Sequence, residues 1–322
     1  MGIKEIAAAA GVSPATVSNV LNGRKNVSEE TRARIFALCE DMGYDTSVKR
    51  KSSNAKDTRT VLFNFSDFDR QFYLKIIQGI NDCAYANGYD LIICTSRSCE
   101  RFMSRKITSG CIMLDMHCPD ELLINNAASD YPIMAMDREL DHPYIKSLVV
   151  NNYTAMCELM EELVKRGYRS FAFLAGLDTT DTKERFQAFR YVLDKYHIPF
   201  NRKNYLLGDF RERSGYKAAK LLMLSENMPQ ILVCANDNMA IGAMRAFRER
   251  GIRVPQDIAV TGFDGTSLAS ELGLTTVDIP NYERGYLAAQ QLLALLSGGD
   301  DYSTFRIAAS VQMRDSVQAV GK

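Results

Sequence analysis

Between Ser13 and Asn22 the chain reads Ser-Pro-Ala-Thr-Val-Ser-Asn-Val-Leu-Asn, with short polar side chains interleaved with apolar ones at helical spacing. Val17, Val20 and Leu21 form one stripe, which leaves Ala15, Ser18, Asn19 and Asn22 to the opposite face. Side chains this short let a helix approach base edges in the major groove of DNA, where an amide reads adenine and hydroxyls hold phosphate oxygens. That chemistry is recognition rather than bond making, and the rest of the chain agrees with it. Only three His occur, His117, His142 and His197, which limits histidine-based acid–base catalysis. No GxGxxG, GxxxxGK[ST], GxSxG or HExxH is present. Cys111, His117 and Cys118 are close in sequence but not at zinc-ligand spacing, and Cys94 and Cys99 are read without a catalytic role. We expect no catalytic residue, no metal and no cofactor.

Three helices must position the polar run. Ile3, Ile6, Ala7 and Ala10 fall at helical spacing, and Gly11 breaks that helix. Ser13 and Pro14 are an N-cap and a first helical residue, and Asn22-Gly23 is a stop. Ser28 opens a third helix with Thr31 in the capping-box position, an apolar stripe of Ile35, Leu38 and Met42, and an end at Gly43. A helix, a tight Gly turn and a second short helix make a helix-turn-helix; on spacing alone an ordinary three-helix packing module is the alternative.

With 322 residues, 46% apolar and 24% charged, the chain is long enough for about two globular domains. No apolar run approaches the ~18 residues of a membrane span. The N-terminus lacks the apolar stretch of a secretory signal, and the eight Cys form no CxxC pair, so we expect reduced thiols and a cytoplasmic protein. The net charge of zero hides an asymmetry: residues 1–60 carry ten Lys/Arg against seven Asp/Glu. Between Thr46 and Thr60, five cations face Asp57 alone, which suits either a solvated linker or contact with a polyanion.

From Val61 onward, short apolar strands alternate with helices. Strands are expected at Val61–Phe65, Leu91–Cys94, Cys111–Leu114, Ile133–Met136, Ser147–Val150, Phe171–Leu174, Tyr205–Leu207, Ile231–Cys234 and Ile258–Thr261. Helices are expected at Phe72–Asn87, Thr154–Arg166, 183–196, 214–225 and 238–250. This predicts an α/β architecture of two doubly wound parallel-sheet lobes, with a ligand crevice at the carboxyl ends of the strands.

The string Ile3-Lys4-Glu5-Ile6-Ala7, Ala10-Gly11-Val12-Ser13, Ala15-Thr16-Val17-Ser18, Val20-Leu21-Asn22-Gly23 and Val27-Ser28-Glu29-Glu30-Thr31-Arg32 closely resembles the headpiece of the lactose/galactose-repressor family of bacterial transcription regulators. The resemblance continues through Gly167-Tyr168-Arg169, Asn236 to Gly242, Val260 to Asp264, Leu274 to Val277 and Arg314-Asp315-Ser316. It implies a periplasmic-binding-protein-like core, a pseudo-palindromic DNA operator, a small-molecule effector between the lobes, and a homodimer formed in part by helix 238–250 with Ile241, Ala243 and Met244. By resemblance, Thr16 and Ser18 hold phosphates or register, and Pro14, Ala15 and Asn19 occupy the base-reading face beside Ser13 and Asn22. Asn19 stands where many members carry Arg, which shifts preference from guanine toward adenine.

The same resemblance places Asp137, Arg185, Phe210, Asn236 and Asp264 against the effector, with Phe72 and Tyr73 at the start of the first core helix. The chemistry is coherent for a polyhydroxylated ligand: carboxylates and amides bind hydroxyls, Arg supplies a fork of donors, and a ring covers an apolar face. Each has a plainer alternative: a surface position for Arg185, a helix cap for Asp264, and core packing for Phe210, Phe72 and Tyr73. There are departures. Asp45-Thr46-Ser47 follows Gly43-Tyr44 where the family shows Pro-Asn, and Ser53 takes the position of a minor-groove Leu wedge, so Lys49, Arg50 and Lys51 are expected to contact phosphates instead. Thr95–Ser109 is short, Ser109 replaces a common Asp, and Ile279 a common Gln.

The expected organisation is a helix-turn-helix headpiece over 1–45, a hinge over 46–60, and an effector and dimerisation core over 61–322. The lobes of that core are expected at about 61–150 plus 281–303 and 151–280 plus 304–322. The function implied is an effector-controlled repressor. Its rivals are an activator or weak DNA binder with an atypical hinge, and a binding protein or α/β enzyme carrying an unrelated helical appendage.

Overall fold

The computed structural model of the chain describes residues 3–21, 27–42, 58–66 and 72–321. Two units separate, Met1–Thr58 and Arg59–Lys322. In the first, α1 (Ile3–Ala10), α2 (Pro14–Leu21) and α3 (Glu29–Asp41) enclose a small core of Ile6, Ala7, Ala10, Val17, Val20, Leu21, Ile35 and Cys39. The turn between α1 and α2 needs Gly11 at φ +62°, a left-handed conformation that costs a side-chain-free residue nothing. The Ser13 hydroxyl then accepts the Thr16 amide at 3.1 Å, closing the first turn of α2, and the Ser28 hydroxyl accepts the Thr31 amide at the start of α3. Asn22 and the ends expected at Gly23 and Gly43 lie outside the described residues, as does the hinge through residue 57.

The second unit alternates β1 (Thr60–Phe65), α4 (Phe72–Ala86), β2 (Asp90–Thr95), α5 (Cys99–Phe102), β3 (Gly110–Leu114), α6 (Asp120–Asn126), β4 (Ile133–Ala135) and β5 (Ile145–Val150). There follow α7 (Asn152–Lys165), β6 (Phe171–Ala175), α8 (Thr180–Lys195), β7 (Tyr205–Leu207), α9 (Glu212–Leu222), β8 (Ile231–Cys234), α10 (Asp237–Glu249), β9 (Ala259–Asp264), α11 (Ser267–Glu271) and β10 (Thr275–Asp278). The chain closes with α12 (Asn281–Leu296), β11 (Phe305–Ile307) and β12 (Ser310–Gln312). The sheets run β2-β1-β3-β4-β5-β11 and β7-β6-β8-β9-β10-β12, the same doubly wound order twice. β1, β3, β6 and β8 are buried along almost their whole length, as strands covered by helices on both faces must be.

Two details differ from the sequence reading. β12 pairs antiparallel with β10, as an edge strand added to an otherwise parallel sheet. β11 pairs with β5 of the first sheet, so the chain returns to the second lobe after Ile307 rather than after 303. Among the described residues, no helix is long and apolar enough to cross a membrane.

Each lobe is held by a pair of helices packed backbone to backbone. A Cβ on Gly285 of α12 would lie 2.1 Å from the Ile76 carbonyl oxygen of α4, and one on Gly79 would lie 2.1 Å from that of Tyr282. Gly215 of α9 and Gly242 of α10 repeat the arrangement in the other lobe, against Met239 and Glu212. Because the obstruction is backbone, it does not swing aside. Gly285→Ala should therefore cost about 3 kcal/mol, near the upper end for overpacking, as read from its urea midpoint. A midpoint within error of the parent's would mean that the helices separate freely.

Candidate functional site

The carboxyl ends of the strands of both lobes converge on a cavity of about 290 Å³. All seven residues singled out for the effector line it: Phe72, Tyr73, Asp137, Arg185, Phe210, Asn236 and Asp264. Asp137 follows β4, Asn236 follows β8, and Asp264 ends β9. Phe72 and Tyr73 begin α4, with ring centroids 4.3 Å apart, and Arg185 projects from α8. Ile279, standing in place of the common Gln, also lines the wall.

Arg185 is no surface residue. Its side chain is 5% exposed and lies on the Phe263 ring, with the guanidinium carbon 3.8 Å from the centroid. Nε donates to Asn152 Oδ1 at 2.9 Å, Nη1 donates to the Ala235 carbonyl at 2.6 Å, and Nη2 is 3.8 Å from an Asp181 carboxylate oxygen. This fixes the orientation of the fork. Asn236 is the N-cap of α10: its Oδ1 accepts the Met239 amide at 3.1 Å, and its Nδ2 donates to the Phe210 carbonyl at 2.9 Å. Asn236 thus positions Phe210, which adopts φ +67°, with its ring occupying the space a Cβ on Gly176 would need. Asp264 is 7% exposed at φ +125°, and its carbonyl accepts from the Ile279 amide and from Asn281 Nδ2. Both are non-glycine residues in a costly backbone region, and both border the cavity.

Burial pushes the Asp137 carboxyl above its ordinary range, against the Arg138 guanidinium, whose Nε and Nη2 reach its two oxygens at 3.0 and 2.9 Å. For Arg138, burial acts to lower the guanidinium, but Asp137 and Asp120 outweigh it and hold the group firmly charged. Behind the wall, Asp237 accepts from Thr276 Oγ1 at 2.5 Å and the Thr266 amide at 2.8 Å, yet burial prevails and its carboxyl is pushed up to about 6. A raised carboxyl pKa means the folded chain holds the proton more tightly than the unfolded one. The stabilisation is full below the ordinary 3.8 and is lost as pH rises through 6. Asp237→Asn should accordingly gain on the parent by about 2 kcal/mol between pH 4 and pH 7 in urea unfolding. A difference that stays flat across that range would contradict the burial of this charge.

The sequence reading missed four wall residues that matter. Arg138 clamps Asp137, and Asp181 bonds Asn152 at 2.8 Å. Lys183 adds a cation. Arg284, in the first turn of α12, is buried, its guanidinium pulled down by burial. Its Nη2 donates to the Met136 carbonyl, while its Nε has no hydrogen-bond partner among the described residues. Five carboxylates (Asp120, Asp137, Asp178, Asp181, Asp264) and four cations (Arg138, Lys183, Arg185, Arg284) share the wall. Near-balance of this kind suits a neutral polar ligand better than an ion. Among the described residues, no group of three or more His, Cys, Asp or Glu is arranged to hold a metal.

In the headpiece, Ser13, Pro14 and Ala15 are exposed, while Thr16, Ser18 and Asn19 are half-buried on the open side of α2. Thr16 shares its hydroxyl with Ser13 at 2.9 Å. Asn22, Lys49, Arg50 and Lys51 lie outside the described residues.

A repeated doubly wound core with a polar cavity between its lobes, joined to a helix-turn-helix, defines an effector-binding DNA regulator. Residues 2–47 match the profile of the bacterial regulatory proteins of the lacI family, and residues 160–317 match the periplasmic binding protein-like domain. The chain is 29% identical to the HTH-type transcriptional repressor PurR of Yersinia pestis (strain Pestoides F), over 98% of this chain and 96% of that protein. It superposes on the lac repressor dimer bound to operator and the anti-inducer ONPF at TM-score 0.75 and 26% identity, over 99% of each chain. The CelR–cellobiose complex superposes at TM-score 0.72 and 26% identity, over 98% of this chain and 100% of that one. The chain thus joins a lacI-family helix-turn-helix domain to a periplasmic binding protein-like domain.

Proposed function

We propose that the chain is a transcriptional repressor whose grip on a pseudo-palindromic operator is set by a sugar or sugar derivative held in the cleft. The observation that carries this reading is the convergence of Asp137, Asp264, Arg185 and the Phe210 ring on one polar cavity. Carboxylates accept from adjacent hydroxyls, the guanidinium donates to ring or hydroxyl oxygens, and the aromatic face covers a C–H face. The cellobiose in the CelR complex supports the same ligand class. Ser13, Pro14, Ala15, Thr16, Ser18, Asn19 and Asn22 contact the operator, with Asn19 on a base edge and the hydroxyls on phosphates.

One helix-turn-helix makes few contacts, so the protein acts as a homodimer on two half-sites, as the operator-bound lac repressor dimer does. Helix α10 contributes less to that dimer than its sequence suggests, because Ala243 is enclosed in its own lobe and Ile241 nearly so. Met244 is half-buried and Arg245 exposed. The protein works by binding rather than by catalysis, in the cytoplasm, where the chromosome is.

A thermal-shift panel of sugars, sugar phosphates and nucleobases tests the ligand class. A ligand at a hundred times its Kd adds about 2.7 kcal/mol to stability. We expect a sugar to raise Tm; a shift from a nucleobase alone, or from no compound in the panel, would overturn the assignment.

A further inference from the structure

Apart from the cleft, the second lobe carries a slot of about 600 Å³ lined by Phe186, Arg190, Phe200, Arg202 and Tyr205. None of the five lines the cavity between the lobes. Phe186 and Arg190 stand one turn apart on α8, and Tyr205 opens β7. His197, at φ +55°, turns the chain back after α8, so that the Phe200 ring packs on Phe189 of that helix with centroids 5.1 Å apart. Arg202 begins the short helical turn Arg202–Asn204 ahead of β7. There Asn201 Oδ1 accepts the Lys203 amide at 3.0 Å, and Asn204 Nδ2 donates to the Phe171 carbonyl at 3.1 Å. The turn that carries Arg202 is therefore tied to β6.

The slot is aromatic, and the charge on its wall is of one sign. Phe186 meets Tyr205 at 4.7 Å and Phe200 at 6.2 Å between ring centroids, inclined by 63° and 62°. All three rings pack against the core of the lobe yet are only half-buried. The Arg190 guanidinium carbon lies 5.3 Å from the Phe200 centroid, and its Nη2 is 3.1 Å from an Asp194 oxygen. Arg202 is exposed and makes no ion pair among the described residues. The Tyr205 hydroxyl has no hydrogen-bond partner among them either. Burial pushes that phenol up, and the charge of Asp178 adds to the effect, so it stays a neutral donor. Asp178 is itself paired with Lys183 at 3.1 Å. Among the described residues, no carboxylate lines the slot.

We propose that this slot binds a small aromatic carboxylate. Three ring surfaces favour a flat apolar ring over an aliphatic one. Two guanidinium groups favour an anion, and the planar fork of Arg202 matches the two oxygens of a carboxylate. The Tyr205 hydroxyl supplies one more donor to the same group. A neutral ring would leave Arg202 unpaired, and an aliphatic acid would forgo the ring contacts. The proposal uses no residue of the cleft, so it holds or fails independently of the effector assignment.

The full chain, labelled with fluorotyrosine, is titrated with naphthoate and followed by fluorine NMR. Tyr205→Phe removes one resonance and so identifies the reporter in the slot. That resonance should move saturably with naphthoate. Arg202→Gln, at an exposed position, should weaken binding about threefold, and Arg190→Gln with Arg202→Gln about tenfold, the range of exposed ion pairs. Naphthalenemethanol keeps the rings without the charge, and cyclohexanecarboxylate keeps the charge without an aromatic ring. Each should bind at least about tenfold more weakly than naphthoate. A Tyr205 resonance that naphthoate leaves in place would overturn the proposal. So would parental affinity in Arg202→Gln, or naphthalenemethanol binding as tightly as naphthoate. Tighter binding of adenosine monophosphate than of naphthoate would overturn the carboxylate class.

Discussion

Asp264→Ala should abolish the response of operator binding to effector while leaving operator affinity within about twofold of the parent. Asp264 ends β9 against the cavity and is almost fully enclosed. A buried carboxylate accepting from a ligand hydroxyl contributes about 1.5–3 kcal/mol, so its loss weakens effector binding roughly 10- to 150-fold per bond. Its backbone at φ +125° adds a complication, because alanine is strained there. Asp264→Asn retains the shape and removes the charge, and should reproduce the loss in milder form. An Asn variant that responds to effector at parental concentrations would sink the role given to this carboxylate. Circular dichroism of both variants separates loss of the ligand from loss of the fold.

Replacing Lys49, Arg50 and Lys51 together by Gln should flatten the salt dependence of DNA binding more than any other triple substitution in the chain. Three adjacent cations repel one another, and phosphates relieve that repulsion. Each phosphate neutralised adds roughly 0.9 to the slope of log K against log salt, so six cations in a dimer account for about five units. Ser53 stands where the family resemblance places an apolar wedge, so this span is expected to contribute charge more than sequence preference. Specific and non-specific duplexes should weaken alike. If the triple variant keeps the parental slope, these residues do not touch phosphate.

What the sequence disclosed was local. Ser13-Pro14 announces α2 because a hydroxyl acceptor and a preset φ act within one turn, and Tyr205–Leu207 and Ile231–Cys234 are legible as short apolar runs bounded by turns. The parts that escaped depend on residues far apart in the chain. Arg284 lines the cavity only because α12 returns to the first lobe, 148 positions from the carbonyl it bonds at Met136. The Gly79–Gly285 lock is likewise a product of topology; Cys94, Cys99, Cys111 and Cys118, which share one buried cluster, look scattered until β1, β2 and β3 are laid side by side. β11 is partly exposed and three residues long, so it offers no apolar run from which its sheet could be guessed. Asp137 was legible as a cleft residue, whereas the Arg138 clamp beside it required knowing that Cys118 and Asp115 turn their carbonyls inward.

The central claim is that a ligand between the lobes controls the grip of the headpiece on DNA. It is tested most directly by fluorescence anisotropy of the full chain on a duplex selected from a randomised pool, titrated with and without the sugar that raises its Tm. The account predicts a pseudo-palindromic selected site and a shift in operator Kd of at least about fivefold on adding the sugar, within the usual range of allosteric coupling. It would be contradicted by a selected pool without two-fold symmetry, or by an operator Kd that the sugar leaves unchanged.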